Sequence, residues 1–192
     1  MSGFPVVIDG ARIRALIVGG GVVAHRKAAA LLESGASLRV VAPSLCPAMQ
    51  SLDHHARVTI FLREYASGDI GDATLVVAAT DQRAINARVA EDAHAAARLV
   101  NVVDEPAEGD WVSVATHRAG PLVIGVSVGG VPTAATRIRD AIAERFDARY
   151  AGALTQLIAL RRQVLDAGGT DAWRQVDREL VGPDFCERVE CR

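Results

Sequence analysis

The stretch ALIVGGGVVAHRKAAALLESGA, residues 15–36, joins a short apolar run to an alanine-rich run through three consecutive glycines. Residues 15–18 predict a buried strand, and residues 25–34 carry apolar side chains at helical spacing. Between them, Gly19, Gly21 and Ala24 fit the pattern G-x-G-x-x-A, which after a strand and before a helix is typical of a dinucleotide-binding turn. The alternative interpretation is a glycine-rich turn that binds nothing.

Each position of this pattern has a physical reason. Gly19 permits the tight turn, Gly21 lets the backbone approach a pyrophosphate, and Ala24 permits close packing of the helix on the strand. The first N–H groups of the helix then face the phosphate charge. The residues therefore predict nucleotide binding at the end of the first strand.

The next predicted strand, residues 38–42, ends in Pro43 and Ser44, where a dinucleotide-binding fold usually has a carboxylate for the adenosine ribose. Backbone amides and the Ser44 hydroxyl can replace that carboxylate, and Pro43 keeps the turn rigid. The residues alone leave the choice between NAD and NADP open. Arg39 precedes the strand end, so we do not expect it to bind a 2′-phosphate.

Composition narrows the class of protein. The chain has 192 residues, of which 50% are hydrophobic and 23% charged, with a formal net charge of −2. This apolar content is mostly aliphatic, which suits helices packed on a parallel sheet. There is no basic block for nucleic acid, no apolar run long enough to span a membrane and no signal peptide at the start. We expect a cytoplasmic protein without nucleic-acid or membrane partners.

Strands and helices alternate along the first part of the chain. Further strands are predicted at 59–62, 75–79 and 99–103, and a second helix at 84–97, which together indicate an α/β fold with a Rossmann-like parallel sheet over residues 1–106. Residues 111–128 then predict an antiparallel hairpin and 129–146 a helix, so 107–147 form a small α+β region. Residues 148–192 are predicted to be helical, with a break at Gly168 and Gly169.

Polar residues follow two of these strands at the edge where ligands collect in open α/β sheets. Thr80 and Asp81 follow the strand at 75–79, and we expect both beside the cofactor. Asn101 and Asp104 come at the end of the strand at 99–103, and we expect Asn101 to contribute to cofactor binding. Asp104 is either a general base in a pocket or a turn-forming carboxylate, and the residues leave both open.

Together, the stretches LIVGGGVVAHRKAAALLESGA, VVAP, VVAATD, NVVDEP and PLVIGVSVGG resemble those of the precorrin-2 dehydrogenase family, which also forms the N-terminal module of siroheme synthase. The resemblance runs over about residues 4–146. It implies NAD as cofactor, bound by Val22, Val23, Pro43 and Ser44, because the family also has alanine and proline in place of the acid. It also implies that Asp104 is catalytic in oxidising precorrin-2 to sirohydrochlorin.

The substrate implied by this resemblance carries many carboxylates, so cationic and amide donors are expected around it. Candidates are Arg118, Arg137 and the turn that contains Ser127, Gly129 and Gly130. Solvated surface arginines are the alternative. The family also implies a homodimer, which would cover the valine-rich hairpin, unless the helices of residues 148–192 cover it within one chain.

The sequence departs from the family pattern at Val114, Val128 and Pro132. These departures leave open which tetrapyrrole is the substrate and whether ferrochelatase activity is present. A non-catalytic nucleotide or tetrapyrrole-binding module is a further alternative. The histidines show no metal-ligand spacing, so we predict no resident metal. Cys186 and Cys191 are either spare thiols or partners of each other or of a metal.

Overall fold

The computed structural model describes residues 3–181. The chain forms two compact units that divide between Ser113 and Val114. The functional division into regions 1–106, 107–147 and 148–192 stays a prediction.

The first unit is built on a parallel sheet of five strands: β1 Arg14–Val18, β2 Ser37–Ala42, β3 Val58–Leu62, β4 Leu75–Ala78 and β5 Leu99–Val102. Their order in the sheet is β3-β2-β1-β4-β5. This order reverses direction at β1, which makes the gap between β1 and β4 the switch point where doubly wound sheets bind ligands. The α/β class and the Rossmann-like parallel sheet predicted from the sequence are confirmed.

Helices pack on both faces of this sheet. Helix α1, Val22–Glu33, buries Ala24, Ala28 and Leu32 against one face, and helix α3, Arg83–Ala95, buries Val89 and Ala93 against the other. A single turn, α2 Pro47–Gln50, follows β2. Small residues on α1 let its axis approach β1 closely, as the alanine pattern predicted.

The segment after β5 corrects one prediction. The hairpin was expected from residue 111, but Trp111 packs on the core of the first unit, and the Asn101 side-chain amide donates to its carbonyl oxygen at 2.8 Å. Asp110 accepts a hydrogen bond from the N–H of Val100 at 2.9 Å. These bonds hold the segment along the edge of the sheet, so the following strand begins only at Ala115.

The second unit contains a hairpin of β6 Ala115–Ala119 and β7 Leu122–Val126, which pair antiparallel. Gly120 turns the hairpin with a φ of 56°, and an added Cβ would lie 3.0 Å from that of Ala151. His117 lies within β6, and its Nε2 donates to the carbonyl oxygen of Phe146 at 2.6 Å.

Three helices complete the second unit: α4 Pro132–Arg145, α5 Ala148–Asp166 and α6 Thr170–Leu180. The predicted helical C-terminal region is confirmed as far as the structure describes it. Tyr150 on α5 is buried and packs its ring against Phe146 at a centroid distance of 4.8 Å. Cys186 and Cys191 lie outside the described residues. None of the helices described within residues 3–181 has the length and apolar character needed to cross a membrane.

Candidate functional site

The glycine turn between β1 and α1 is shaped by close backbone contacts. Gly19 has a φ of 125°, and an added Cβ would overlap the carbonyl oxygen of Ala79. A Cβ on Gly20 would overlap the carbonyl oxygen of Ser44 and lie 2.8 Å from a methyl carbon of Leu45. Two of the three glycines are therefore required by the protein's own packing.

The third glycine differs, because an added Cβ on Gly21 would meet no heavy atom within 4 Å. Gly21 is the N-cap of α1 and supplies no side-chain capping bond. The first intrahelical bond runs from the N–H of His25 to Gly21, so the N–H groups of Val22 and Val23 have no acceptor within the helix. Open space in front of free N–H donors fits a pyrophosphate.

The loop after β2 is held against this turn by main-chain bonds. The N–H of Gly19 donates to the carbonyl oxygen of Val41 at 3.0 Å, and the N–H of Cys46 donates to that of Gly20 at 2.8 Å. Pro43 and Ser44, which lie between these anchors, are exposed and line the cleft. The structure therefore places these two residues beside the glycine turn, and their predicted contact with the cofactor stays a prediction.

At the end of β4, Thr80 is fixed by a buried amide. Asn86, fully buried, accepts from the Thr80 N–H at 3.0 Å and from its hydroxyl at 2.7 Å, and it donates to the Thr80 carbonyl oxygen at 3.1 Å. The N–H of Gln82 donates to the same hydroxyl at 3.1 Å. Thr80 therefore forms part of the cleft wall, and its hydroxyl is hydrogen-bonded within the protein.

These elements enclose a cleft of about 330 Å³ at the carboxyl ends of β1, β2 and β4. Of the described residues that line it, the charged ones are Glu64 and Asp81, and both are negative. Six of the predicted cofactor residues line this cleft: Gly19, Gly21, Pro43, Ser44, Thr80 and Asp81.

Tyr65 lines the cleft and is 7% exposed. Burial raises the pKa of its hydroxyl, and the hydrogen bond to the Asp92 carboxylate raises that pKa further. The hydroxyl donates to Asp92 at 2.9 Å. Tyr65 is thus a protonated wall residue rather than a base.

The remaining predicted cofactor residues lie around the cleft. Val22 and Val23 begin α1 and are 72% and 37% exposed. Ala24 is fully buried under α1, which is the packing role expected of it. Asn101 is 4% exposed and bonded to the Trp111 carbonyl oxygen, and its Oδ1 has no hydrogen-bond partner. A direct contact of Asn101 with a cofactor stays a prediction.

Asp104 follows β5, and its side chain is 35% exposed. Arg83, the first residue of α3, places Nη1 4.0 Å from Asp104 Oδ2 and bonds Glu108 through Nη2. The hydrogen bond with Glu108 raises the pKa of Arg83. Arg83 adjoins Gln82, which lines the cleft, but neither Arg83 nor Asp104 is among the lining residues.

The predicted substrate residues belong to the second unit. Arg118 lies on β6 and Arg137 on α4, and both are exposed. Ser127 is exposed, and Gly129 and Gly130 have φ values of 53° and 95° with open space around an added Cβ. Their role toward a substrate stays a prediction.

Sequence reasoning missed Glu64, Tyr65 and Arg83. Glu64 and Tyr65 follow β3, and Arg83 follows β4, so the rule that strand ends share one edge was the available signal. Within residues 3–181, no three side chains of His, Cys, Asp or Glu are grouped as they would be around a metal ion.

The switch-point cleft, the glycine turn and the open space before α1 define a dinucleotide-binding α/β domain. Residues 6–115 match the family described as "Putative NAD(P)-binding", and the chain belongs to this family.

Curated relatives carry the name siroheme synthase. The protein of Saccharophagus degradans is 40% identical over 164 residues, which are 85% of this chain and 36% of that protein. The protein of Pseudomonas fluorescens strain Pf0-1 is 42% identical over 182 residues, which are 88% of this chain and 39% of that protein. The resemblance read from the sequence is confirmed, and the chain spans little more than a third of these relatives.

A solved structure, that of the precorrin-2 dehydrogenase SirC, has the same fold. It superimposes with a TM-score of 0.80 over 99% of this chain and 100% of that chain, at 20% sequence identity. This likeness extends through both units of the chain.

Proposed function

We propose that this protein is an NAD-dependent dehydrogenase that oxidises precorrin-2 to sirohydrochlorin, with Asp104 as general base. The observation that carries the proposal is the cleft at the switch point, where free N–H groups after β1 face open space, two strands away in the sheet from β5 and Asp104. The names of the siroheme synthase relatives and of SirC supply the substrate class.

The cleft fits the dinucleotide without an acidic residue after β2. The N–H groups of Val22 and Val23 would hold the pyrophosphate, and Pro43 and Ser44 would border the adenosine side. Gly21 leaves the space that a pyrophosphate needs. Bound NAD would supply the hydride acceptor for the oxidation.

The charge of the lining favours NAD over NADP. A 2′-phosphate is normally met by an arginine, whereas the charged lining residues described here are Glu64 and Asp81. Arg39 is held at the other end of its strand by Asp72, at 3.2 Å. An added phosphate would therefore meet repulsion in this cleft.

Asp104 is the proposed acceptor of the proton that leaves the macrocycle as the hydride departs. Its carboxylate is accessible and follows β5, the neighbour of the cleft strand β4. Arg83 would fix its orientation through Nη1, since Glu108 holds the guanidinium at Nη2. A positioned carboxylate of this kind contributes about 100-fold or more to a proton transfer.

The second unit would supply the contacts to the substrate carboxylates through Arg118, Arg137, Ser127, Gly129 and Gly130. A homodimer is also part of the proposal, because apolar side chains on the second unit are exposed, among them Val123 at 41% and Ile138 at 45%. We also propose that the protein is cytoplasmic.

The test is an anaerobic assay of NADH formation from precorrin-2 and NAD, with wild type and Asp104→Asn in parallel. Formation of NADH and sirohydrochlorin by wild type, and a loss of about 100-fold in the variant, would support the proposal. If wild type binds NAD but forms no NADH, the proposal is wrong and the protein is a non-catalytic binding module. Incubation of sirohydrochlorin with Fe²⁺ as substrate tests the alternative ferrochelatase activity.

A further inference from the structure

A second groove, of about 340 Å³, lies at the amino ends of β1, β2 and β3, at the edge of the sheet opposite the dinucleotide cleft. We call it the arginine groove. Its lining includes Arg14, Ser37, Arg39, Arg57, Thr59 and Asp72.

The arginine groove exists because α3 covers only part of its face of the sheet. Helix α3 packs against β4 and β5. Over β2 and β3 the same face presents Arg39 and Thr59, which are register partners, and then Phe61, which is 37% exposed. A buried sheet face would carry aliphatic residues at these positions, so this part of the face is open to solvent and accessible to a polar ligand.

The charges in the groove do not balance. Three arginines and one aspartate line the groove, and the Asp72 carboxylate bonds Arg14 at 3.0 Å and Arg39 at 3.2 Å. Arg57 donates instead to the carbonyl oxygen of Leu32 at 3.3 Å. Two positive charges are therefore left over among the lining residues.

The guanidinium groups are also held in place before any ligand arrives. The main-chain carbonyl oxygen of Asp72 accepts from Arg14 Nε at 3.1 Å, and that of Ile70 accepts from Arg39 at 3.4 Å. Gly71, at a φ of 45°, brings its backbone beside the Arg39 guanidinium, where an added Cβ would lie 3.1 Å from Nη2. Arginines fixed in this way lose little entropy when they bind a planar or tetrahedral anion.

We propose that the arginine groove binds a small anion that carries phosphate or carboxylate groups. The guanidinium edges of Arg14, Arg39 and Arg57 would pair with the anion's oxygens, and the exposed Thr59 hydroxyl would donate to it. The site is separate from the dinucleotide cleft and does not depend on the proposed dehydrogenase activity.

The test is a titration of the isotope-labelled full chain with inorganic pyrophosphate and with citrate, followed by the backbone N–H signals. The expected result is movement of the Leu38 and Thr59 signals, separately from any movement at Gly20 and Gly21 in the cleft. Tighter binding of pyrophosphate identifies a phosphate ligand, and tighter binding of citrate a carboxylate ligand; either supports the proposal. Unmoved Leu38 and Thr59 signals with both anions would overturn it.

Variants then assign the binding to the arginines. Arg14→Gln combined with Arg57→Gln should weaken binding roughly tenfold or more, because charge-assisted bonds are lost. The matched control is Arg162→Gln, which removes a charge from an 85% exposed side chain of the second unit and should change nothing. If the folded double variant binds the anion as wild type does, the assignment is wrong. The single variant Arg57→Gln gives the same test should the double variant fail to fold.

Discussion

At Gly21, a substitution can test cofactor binding without disturbing the fold. Its φ of −81° and ψ of −177° are open to any residue, and an added Cβ meets nothing within 4 Å. Alanine at this position should therefore fold normally, with a loss of at most about 1 kcal/mol in unfolding free energy from the weaker N-cap. The new methyl group would occupy the space in front of the N–H groups of Val22 and Val23.

We predict that Gly21→Ala weakens NAD binding about 10- to 150-fold. The figure corresponds to the loss of one hydrogen bond to a charged oxygen, about 1.5–3 kcal/mol. Calorimetric titration with NAD measures it, and urea unfolding of the same samples measures the stability.

Two other glycines provide the controls. Gly68 also has open space around an added Cβ but lies outside the cleft, so Gly68→Ala should leave NAD affinity unchanged. Gly20→Ala should lower stability as well as affinity, because its Cβ overlaps the Ser44 carbonyl oxygen. Wild-type affinity in a folded Gly21→Ala variant would refute the assignment of the pyrophosphate to this turn.

Further predictions concern charge. Asp104→Asn should lower turnover of precorrin-2 about 100-fold while the Kd for NAD, measured by titration, stays the same; an equal loss of NAD affinity would mean a structural role. NADP should bind about tenfold more weakly than NAD, and Glu64→Gln should narrow the gap, which competition titrations can measure; equal affinities in wild type would contradict the charge argument. The hydrogen bond from Arg63, at 2.8 Å, holds the pKa of the Asp69 carboxyl below its ordinary value. The folded state therefore binds a proton at Asp69 less readily than the unfolded state does, and stability present above the ordinary pKa is lost as the pH falls through the lowered pKa. In the Arg63→Gln variant, the free energy of unfolding should fall less steeply as the pH is lowered, which urea unfolding at several pH values measures. An unchanged pH dependence would rule out the Arg63–Asp69 pair as its cause.

Local patterns were enough to predict much of the fold. The ends of the five parallel strands fall within one residue of their predicted positions because short aliphatic runs bounded by glycine or proline have few other uses. The glycine turn was recognised for the same reason, since strand, turn and helix are contiguous in the sequence.

Features that depend on strand order were not predicted. Arg83 and Asp104 meet because β4 and β5 are neighbours in the sheet, although 20 residues of sequence separate the two side chains. Trp111 was assigned to the hairpin because residues 111–128 form two valine-rich runs around a Gly-Pro turn. Such a run does not tell which core its first apolar side chain joins, and Trp111 joins that of the first unit.

The most direct test of NAD binding by main-chain groups is a titration with NAD, followed through the backbone N–H signals. The N–H groups of Val22, Val23 and Ser44 should shift in proportion to bound NAD, and signals of the arginine groove such as Thr59 should stay in place. Saturation with NAD while the signals of Val22 and Val23 remain unmoved would contradict the account.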